Sequence, residues 1–247
     1  MTPGETPLVL IHGVGLDHTM WLPVMTALPH RRTIAYDMIG DGAASKPPGP
    51  YTLQTFVDQL SGLVDALGCE LDLAGFSMGA LVAQGFALGS NGGGLRRMVL
   101  LNGVHDRTEG ERQSIIDRVA DVRTGGFSRT VEPALRRWFT PAFAAARPAV
   151  VNSVRHRLLT NDLRAYADAY EVFATADAEL ASRAADITQP TLVATGSDDQ
   201  RSTPAMAAAL ADALPNGRSS ILSGIRHLSP LESPIAVAAL IDGFLTP

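Results

Sequence analysis

The run Gly75-Phe76-Ser77-Met78-Gly79 follows the spacing Gly-x-Ser-x-Gly, with an apolar strand-like stretch, Leu71 to Ala74, before it and an apolar helix-like stretch, Ala80 to Leu88, after it. A serine on so sharp a strand-to-helix turn presents its hydroxyl outward, and small residues on either side let the two elements close on each other. Such a serine is suited to attack a carbonyl carbon. The same spacing occurs in ordinary loops, so the flanking elements carry the reading rather than the pentapeptide alone.

A serine hydroxyl near neutral pH is a poor nucleophile, so it needs a base within hydrogen-bond reach and a third group to hold that base. His227, in the loop Gly224-Ile-Arg-His-Leu-Ser-Pro, is the candidate base. Asp198 and Asp199 follow a strand-like run that ends at Gly196, and only one of two adjacent residues can face the histidine. An oxyanion formed during attack needs backbone N–H donors. Met78, after the serine, supplies one, and Val14, in His12-Gly13-Val14-Gly15, is expected to supply the other. His12, beside a turn glycine, reads as a brace for that loop and not as a base or metal ligand.

These residues need a frame that brings distant segments to one edge. Short, unalternating apolar runs recur at Leu8 to Ile11, Thr33 to Tyr36, Leu71 to Ala74, Met98 to Leu101, Thr191 to Thr195 and Ser219 to Leu222. Each reads as a parallel strand covered on both faces. Helical patterns lie between them. Thr52 to Leu67 places Leu53, Phe56, Val57, Leu60, Val64 and Leu67 on one face, with Thr52 as cap and Gly68 as stop. Thr203-Pro204 and Ser233-Pro234 each read as a cap followed by a first-turn proline. Strand and helix in alternation imply a parallel sheet with helices on both faces. Residues 105–186 break the rhythm: Glu111 to Arg123, Val131 to Phe139, Pro148 to Leu159 and Leu163 to Ala174 favour helix, and no strand is expected. This block reads as a helical cap inserted after the strand that ends near Leu101, with 1–104 and 187–247 forming the core. Gly92-Gly93-Gly94 reads as a loop.

The chain has 247 residues, 20 Lys and Arg against 25 Asp and Glu, and a net charge of -5, which gives no basic footprint for nucleic acid. A single Cys69 excludes an internal disulfide, and no Cys/His cluster has zinc spacing, so no metal is called for. The N-terminal segment lacks a basic flank and long apolar run, and no apolar stretch reaches the roughly 18 residues of a membrane span. A cytoplasmic protein acting on a small molecule, without a cofactor, is expected. Oligomeric state is not legible.

Taken together, these segments resemble the α/β-hydrolase superfamily. The resemblance is carried by His12-Gly13, by Asp37 to Ser45, by the turn around Ser77, by Gly196-Ser-Asp-Asp199 with Thr203-Pro204, and by His227 to Pro234. It implies an α/β-hydrolase fold with a mostly parallel sheet, here of about six strands since the opening antiparallel hairpin of many members is not expected. It also implies a Ser77–His227–Asp199 triad, because the family's acid commonly stands three residues after the glycine that ends its strand. Arg137-Trp138-Phe139-Thr140-Pro141 with His227 to Glu232 is similar to the 3-oxoadipate enol-lactonase and small esterase branch, which implies cleavage of a small carboxylic ester or lactone through an acyl-enzyme on Ser77.

The pocket is expected between the carboxyl edge of the sheet and the cap, with Val14, Trp21, Met78, Trp138 and Phe139 as apolar walls. Arg136, Arg137 and Arg226 are candidates to meet a substrate carboxylate. Asp41 stands where the family usually has histidine. C–C bond hydrolysis, hydroxynitrile cleavage and non-catalytic ligand binding are the alternatives on this frame; a serine at 77 argues against dehalogenase or epoxide hydrolase chemistry, which uses aspartate there.

Overall fold

The computed structural model describes residues 6–89 and 94–246. The expected loop glycines Gly92 and Gly93, and the first residues of the N-terminal segment, lie outside the described residues. The six strands β1 (Leu8–Ile11), β2 (Thr33–Tyr36), β3 (Leu71–Phe76), β4 (Leu95–Leu101), β5 (Thr191–Gly196) and β6 (Gly217–Leu222) form one sheet in the order β2-β1-β3-β4-β5-β6. Every pairing is parallel. Strand order reverses at β1, so the crevice beyond the carboxyl ends of β1 and β3 is the switch point of the sheet, where open α/β sheets place their ligands.

The central strands β1, β3 and β5 are buried along their whole length, as their unalternating apolar runs require. The edges differ. β6 is half exposed, which corrects the expectation that it is covered on both faces: it is an edge strand, paired with β5 alone among the described residues. β4 extends further back than its apolar run, to Leu95, across a register shift opposite Leu71 and Asp72.

Helices α1 (Leu22–Thr26), α2 (Leu53–Leu67), α3 (Met78–Ala87), α9 (Pro204–Ala213), α10 (Ser229–Glu232) and α11 (Pro234–Leu245) accompany the strands. α2 starts on a Thr52–Thr55 capping box and stops at Gly68, whose φ of 60° is left-handed. Thr203 caps α9 ahead of Pro204. Ser233 makes no such cap, because the turn of α10 runs directly into α11 and its N–H bonds to Ser229 O at 2.9 Å.

Between β4 and β5, the helices are α4 (Glu109–Asp121), α5 (Phe127–Trp138), α6 (Pro141–Ala146), α7 (Pro148–Leu159) and α8 (Leu163–Ser182). No strand is described there. α4 and α5 are joined by a π turn over Val122–Gly126. α5 begins earlier than its pattern suggests and carries Pro133 inside it; Phe127 and Val131 are buried, and the Phe127 ring meets Tyr166 edge-on with centroids 4.8 Å apart, which offsets the missing N–H. α8 packs on both α3 and α4, which seats the helical block on the helix that follows Ser77.

The approach of α3 to β1 sets the spacing of the turn between β3 and α3. A Cβ at Gly79 would stand 2.4 Å from Ile11 O, and one at Gly75 would stand 2.2 Å from Gly79 O. Gly62, on the exposed side of α2, faces nothing within 4 Å. Gly79→Ala is therefore expected to lower unfolding free energy by about 3 kcal/mol or more, whereas Gly62→Ala raises it by about 0.5 kcal/mol. Urea denaturation of the two variants checks this, and equal effects would contradict the packing described.

Candidate active site

Ser77 sits at φ 53° and ψ -111°, a conformation that a non-glycine residue holds only when its surroundings impose it. The constraint comes from both sides: Ser77 N–H donates to Leu101 O at 2.8 Å, and Ser77 O accepts from Ala80 N at 3.0 Å. The hydroxyl itself forms no hydrogen bond with any described residue and lines a cavity. Met78 is the first residue of α3, so its N–H is among those without an intrahelical partner and lies at the positive end of the helix.

His227 and Asp199 line the same cavity. His227 Nδ1 and Asp199 Oδ2 are 2.7 Å apart, and both side chains are nearly closed to solvent. This leaves Nε2 as the ring nitrogen free of the carboxylate. The two loops meet because Gly196 has no side chain: a Cβ there would stand 2.0 Å from Ile225 O. Asp198 is exposed and its Oδ1 accepts the Ser197 hydroxyl at 2.7 Å, away from the histidine.

Asp199 holds more than one partner. Oδ1 accepts the N–H groups of Arg201 and Ser202, each at 3.0 Å, and Oδ2 accepts Asn102 Nδ2 at 2.9 Å besides the imidazole. Burial works to raise this carboxyl, but the facing His227 ring, its hydrogen bond, the Arg201 N–H and the Asn102 amide outweigh it and bring it down to about 2. Asn102 did not emerge from the sequence reading. It follows the last residue of β4, at φ 49°, and its Oδ1 accepts the Ser229 hydroxyl at 2.5 Å, so one amide ties the β4 end to both the acid and the histidine loop. Its one legible signal is a polar residue directly after the apolar run Met98 to Leu101.

Val14 lines the cavity, and its N–H forms no hydrogen bond among the described residues. His12 beneath it is fully buried, with Nδ1 2.8 Å from Gly13 O and Nε2 accepting the Met38 N–H at 2.9 Å. Burial lowers the ring to about 4, so it is neutral, with Nδ1 as the donor. It joins the β1 exit loop to the β2 exit loop.

Of the remaining pocket candidates, Trp138 and Arg137 line the cavity. Trp21 and Phe139 do not, which corrects both expectations: each is a core side chain, Trp21 wholly buried and Phe139 stacked on Phe143 at 5.2 Å. Arg226 donates to the carbonyls of Arg136 and Phe139 and is held as a structural link, and Arg136 is exposed. Residues that sequence patterns did not single out complete the wall, chiefly Arg107, Ile115, Arg118, Tyr166, Tyr170 and Phe173. They sit on or beside helices α4 and α8, whose inward faces are set by packing. Among the described residues no group of three or more His, Cys, Asp or Glu side chains is arranged to hold a metal ion, and no helix is long and apolar enough to cross a membrane.

Residues 8–240 match the alpha/beta hydrolase family. The chain belongs to that family. The hydrolase is 32% identical over 241 residues to (E)-2-((N-methylformamido)methylene)succinate hydrolase of Acinetobacter baylyi, covering 97% of this chain and 90% of the relative. It is 28% identical to 3-oxoadipate enol-lactonase 2 of the same organism, covering 96% of this chain and 88% of the relative. Its structure superposes on the crystal structure of the enol-lactonase from Burkholderia xenovorans LB400 with a TM-score of 0.91 at 30% identity, covering 99% of this chain and 92% of the other.

Burial of His12 links the stability of the hydrolase to pH. A ring held neutral in the fold but protonated when unfolded contributes stability that is full above about 6.5 and is lost as pH falls toward about 4, amounting to about 3 kcal/mol. Urea midpoints measured across that window should fall for the parent and fall less for His12→Gln; parallel curves would show that the ring does not titrate as described.

Proposed function

We propose that this hydrolase cleaves a small carboxylic ester or lactone through an acyl-enzyme on Ser77. The reading is carried by one observation: the imidazole of His227, held by Asp199 through Nδ1, shares a cavity with the strained, otherwise unbonded hydroxyl of Ser77. Resting sites often leave the serine–histidine bond unmade, and it tightens when substrate fills the site.

Ser77 Oγ attacks the substrate carbonyl carbon and passes its proton to His227 Nε2. The new oxyanion is met by the N–H groups of Met78 and Val14. His227 returns the proton to the leaving oxygen, which is released from an open ester or stays tethered in a lactone. A water then gives a proton to the same nitrogen as it attacks the acyl carbon; the bond from that carbon to Ser77 Oγ breaks, His227 returns the proton to Oγ, and the acid is released. Asp199, ionised throughout, fixes the ring and stabilises its charged form. No cofactor enters these steps. The helical block 105–186 serves as the cap over the cavity, with Trp138 and Tyr170 as walls.

The cavity's charge supports an acidic substrate. Arg107 is neutralised by Asp177 at 2.7 Å, but Arg118 and Arg137 have no carboxylate partner among the described residues. Burial and the neighbouring Arg118 charge both lower Arg137, a sign of cations pressed together in a partly dry space. Arg118 Nε is buried without an acceptor. A substrate carboxylate at this end of the cavity would satisfy both groups.

A fluorophosphonate probe is expected to label Ser77 and to leave Ser77→Ala unlabelled; folded parent protein that takes no label would refute the mechanism. Asp199→Asn should lower kcat by about three to four orders of magnitude, while Asp198→Asn changes it by less than about twofold; the reverse order would move the acid to Asp198. For charge recognition, the ratio of kcat/KM for 4-nitrophenyl hydrogen succinate over 4-nitrophenyl acetate should fall by about tenfold in Arg118→Met and in Arg137→Met. An unchanged ratio in both would exclude these arginines as the carboxylate site.

A further inference from the structure

Asp41 is an ionisable group that the mechanism does not use, and it is 1% exposed. It stands on the turn after β2, where its own N–H donates to Met38 O at 2.9 Å. Its Oδ2 accepts the N–H of Gly15 at 3.3 Å, and Gly15 directly follows Val14. The Gly15 carbonyl accepts Asn161 Nδ2 at 3.0 Å, and the Tyr166 ring packs on the same residue. Asn161 and Tyr166 belong to the helical block, so the loop is gripped on one side by the β2 turn and on the other by the helices over the site. The second carboxyl oxygen, Oδ1, is buried with no hydrogen bond and lies 3.6 Å from Arg157 Nη2.

We propose that Asp41 is a positioning residue for the oxyanion loop and that it works as the neutral acid, clamping the Gly15 peptide so that Val14 N–H meets the reacting oxygen. The proposal rests on the serine-hydrolase reading of the site. A buried carboxyl that accepts one backbone N–H, and whose other oxygen has no hydrogen bond and only a distant, shared guanidinium at 3.6 Å, has too few donors to stabilise a full negative charge. The charged and titratable groups that face it are Arg157 of α7, Asp17 of the loop after β1, Asp37 at the end of β2 and Tyr166 of α8. Arg157 is shared with Asp17, whose Oδ2 is 3.0 Å from its Nε. Burial dominates; Arg157 and the Gly15 bond oppose it, Asp17 and Asp37 add to it, and the carboxyl is raised to about 8.

Below about 8 the group is neutral and the loop is held without a nearby negative charge. As pH climbs through that value, an anion appears behind the very loop that must stabilise a developing oxyanion, and the two repel. Ionisation of Asp41 thus weakens catalysis from the alkaline side.

The test compares whole parent protein, Asp41→Asn and Asp41→Ala from about pH 6 to about pH 10, reading kcat and KM for 4-nitrophenyl acetate together with the rate of Ser77 labelling by a fluorophosphonate. Both rates of the parent should fall by about tenfold or more across the alkaline half of this range. Asp41→Asn keeps a carbonyl oxygen for the Gly15 N–H and cannot ionise, so its alkaline fall should vanish. Asp41→Ala should lose about tenfold in kcat at neutral pH with KM changed less than about twofold, a loss that the asparagine largely restores. If Asp41→Ala does not fold, the asparagine profile decides alone. A parent that is labelled at Ser77 while Asp41→Asn keeps the same alkaline limb overturns the role of Asp41 and leaves the hydrolase reading standing. A folded parent that takes no label overturns both.

Discussion

A carboxylate is tolerated at the buried end of β5 only because several donors converge on it. Asp199 meets the imidazole of His227, the amide of Asn102 and two backbone N–H groups of the turn that follows it. Removing any of these leaves charge in a space that cannot hydrate it. Those donors come from β4, from the β5 exit and from the loop after β6. The ordering of three neighbouring strands is thus written into the environment of one side chain, and the orientation of the histidine ring is a by-product of satisfying the carboxylate.

The serine end of the site depends on a different constraint, steric rather than electrostatic. β3 and α3 approach each other, and α3 approaches β1, more closely than any Cβ would permit at Gly75 or Gly79. Ser77 is caught between them in a conformation it would not choose, with its N–H bonded across to β4. The same closeness brings the β1 exit loop beside the start of α3. Strain at the serine and the nearness of Gly13 to Ser77, where an added Cβ would stand 3.2 Å from the serine Cβ, are two results of one packing decision.

The helical block is tied to the edge that carries the candidate site by polar links rather than apolar contact alone. Glu232, just after the histidine, accepts the backbone N–H groups of both Thr140 and Arg226, and Leu228 N–H reaches Trp138 O at 3.0 Å. Asn161 reaches back to Gly15 on the opposite side. The walls of the cavity are therefore fastened to the two loops that flank the serine, one carrying His227 and one carrying Val14, so that the position of the block and the geometry of the site are coupled.

Much of this was legible in the amino-acid order. Short unalternating runs marked all six strands, and for β1, β3 and β5 the reason is burial on both faces, which leaves no polar side to reveal a period of two. The capped helix ending at Gly68 followed from local chemistry, because its cap and its stop depend on residues adjacent in the chain; the turn at Ser77 and the brace at His12 were marked by their neighbouring glycines, while their long-range partners Leu101 and Met38 came only with the fold. The site's remaining features depend on contacts between segments far apart. Asp198 and Asp199 are equivalent by local composition, and the approach of Ile225 at Gly196 orients one toward the histidine and the other toward solvent. Trp21 and Phe139 have the size and apolarity of pocket walls, but such side chains fill a core equally well, and only packing sends them there while Trp138 turns to the cavity. Asn102, Arg118 and Asp41 carry no sequence period at all: what each does is set by which neighbours its burial removes from water and which it leaves to be met.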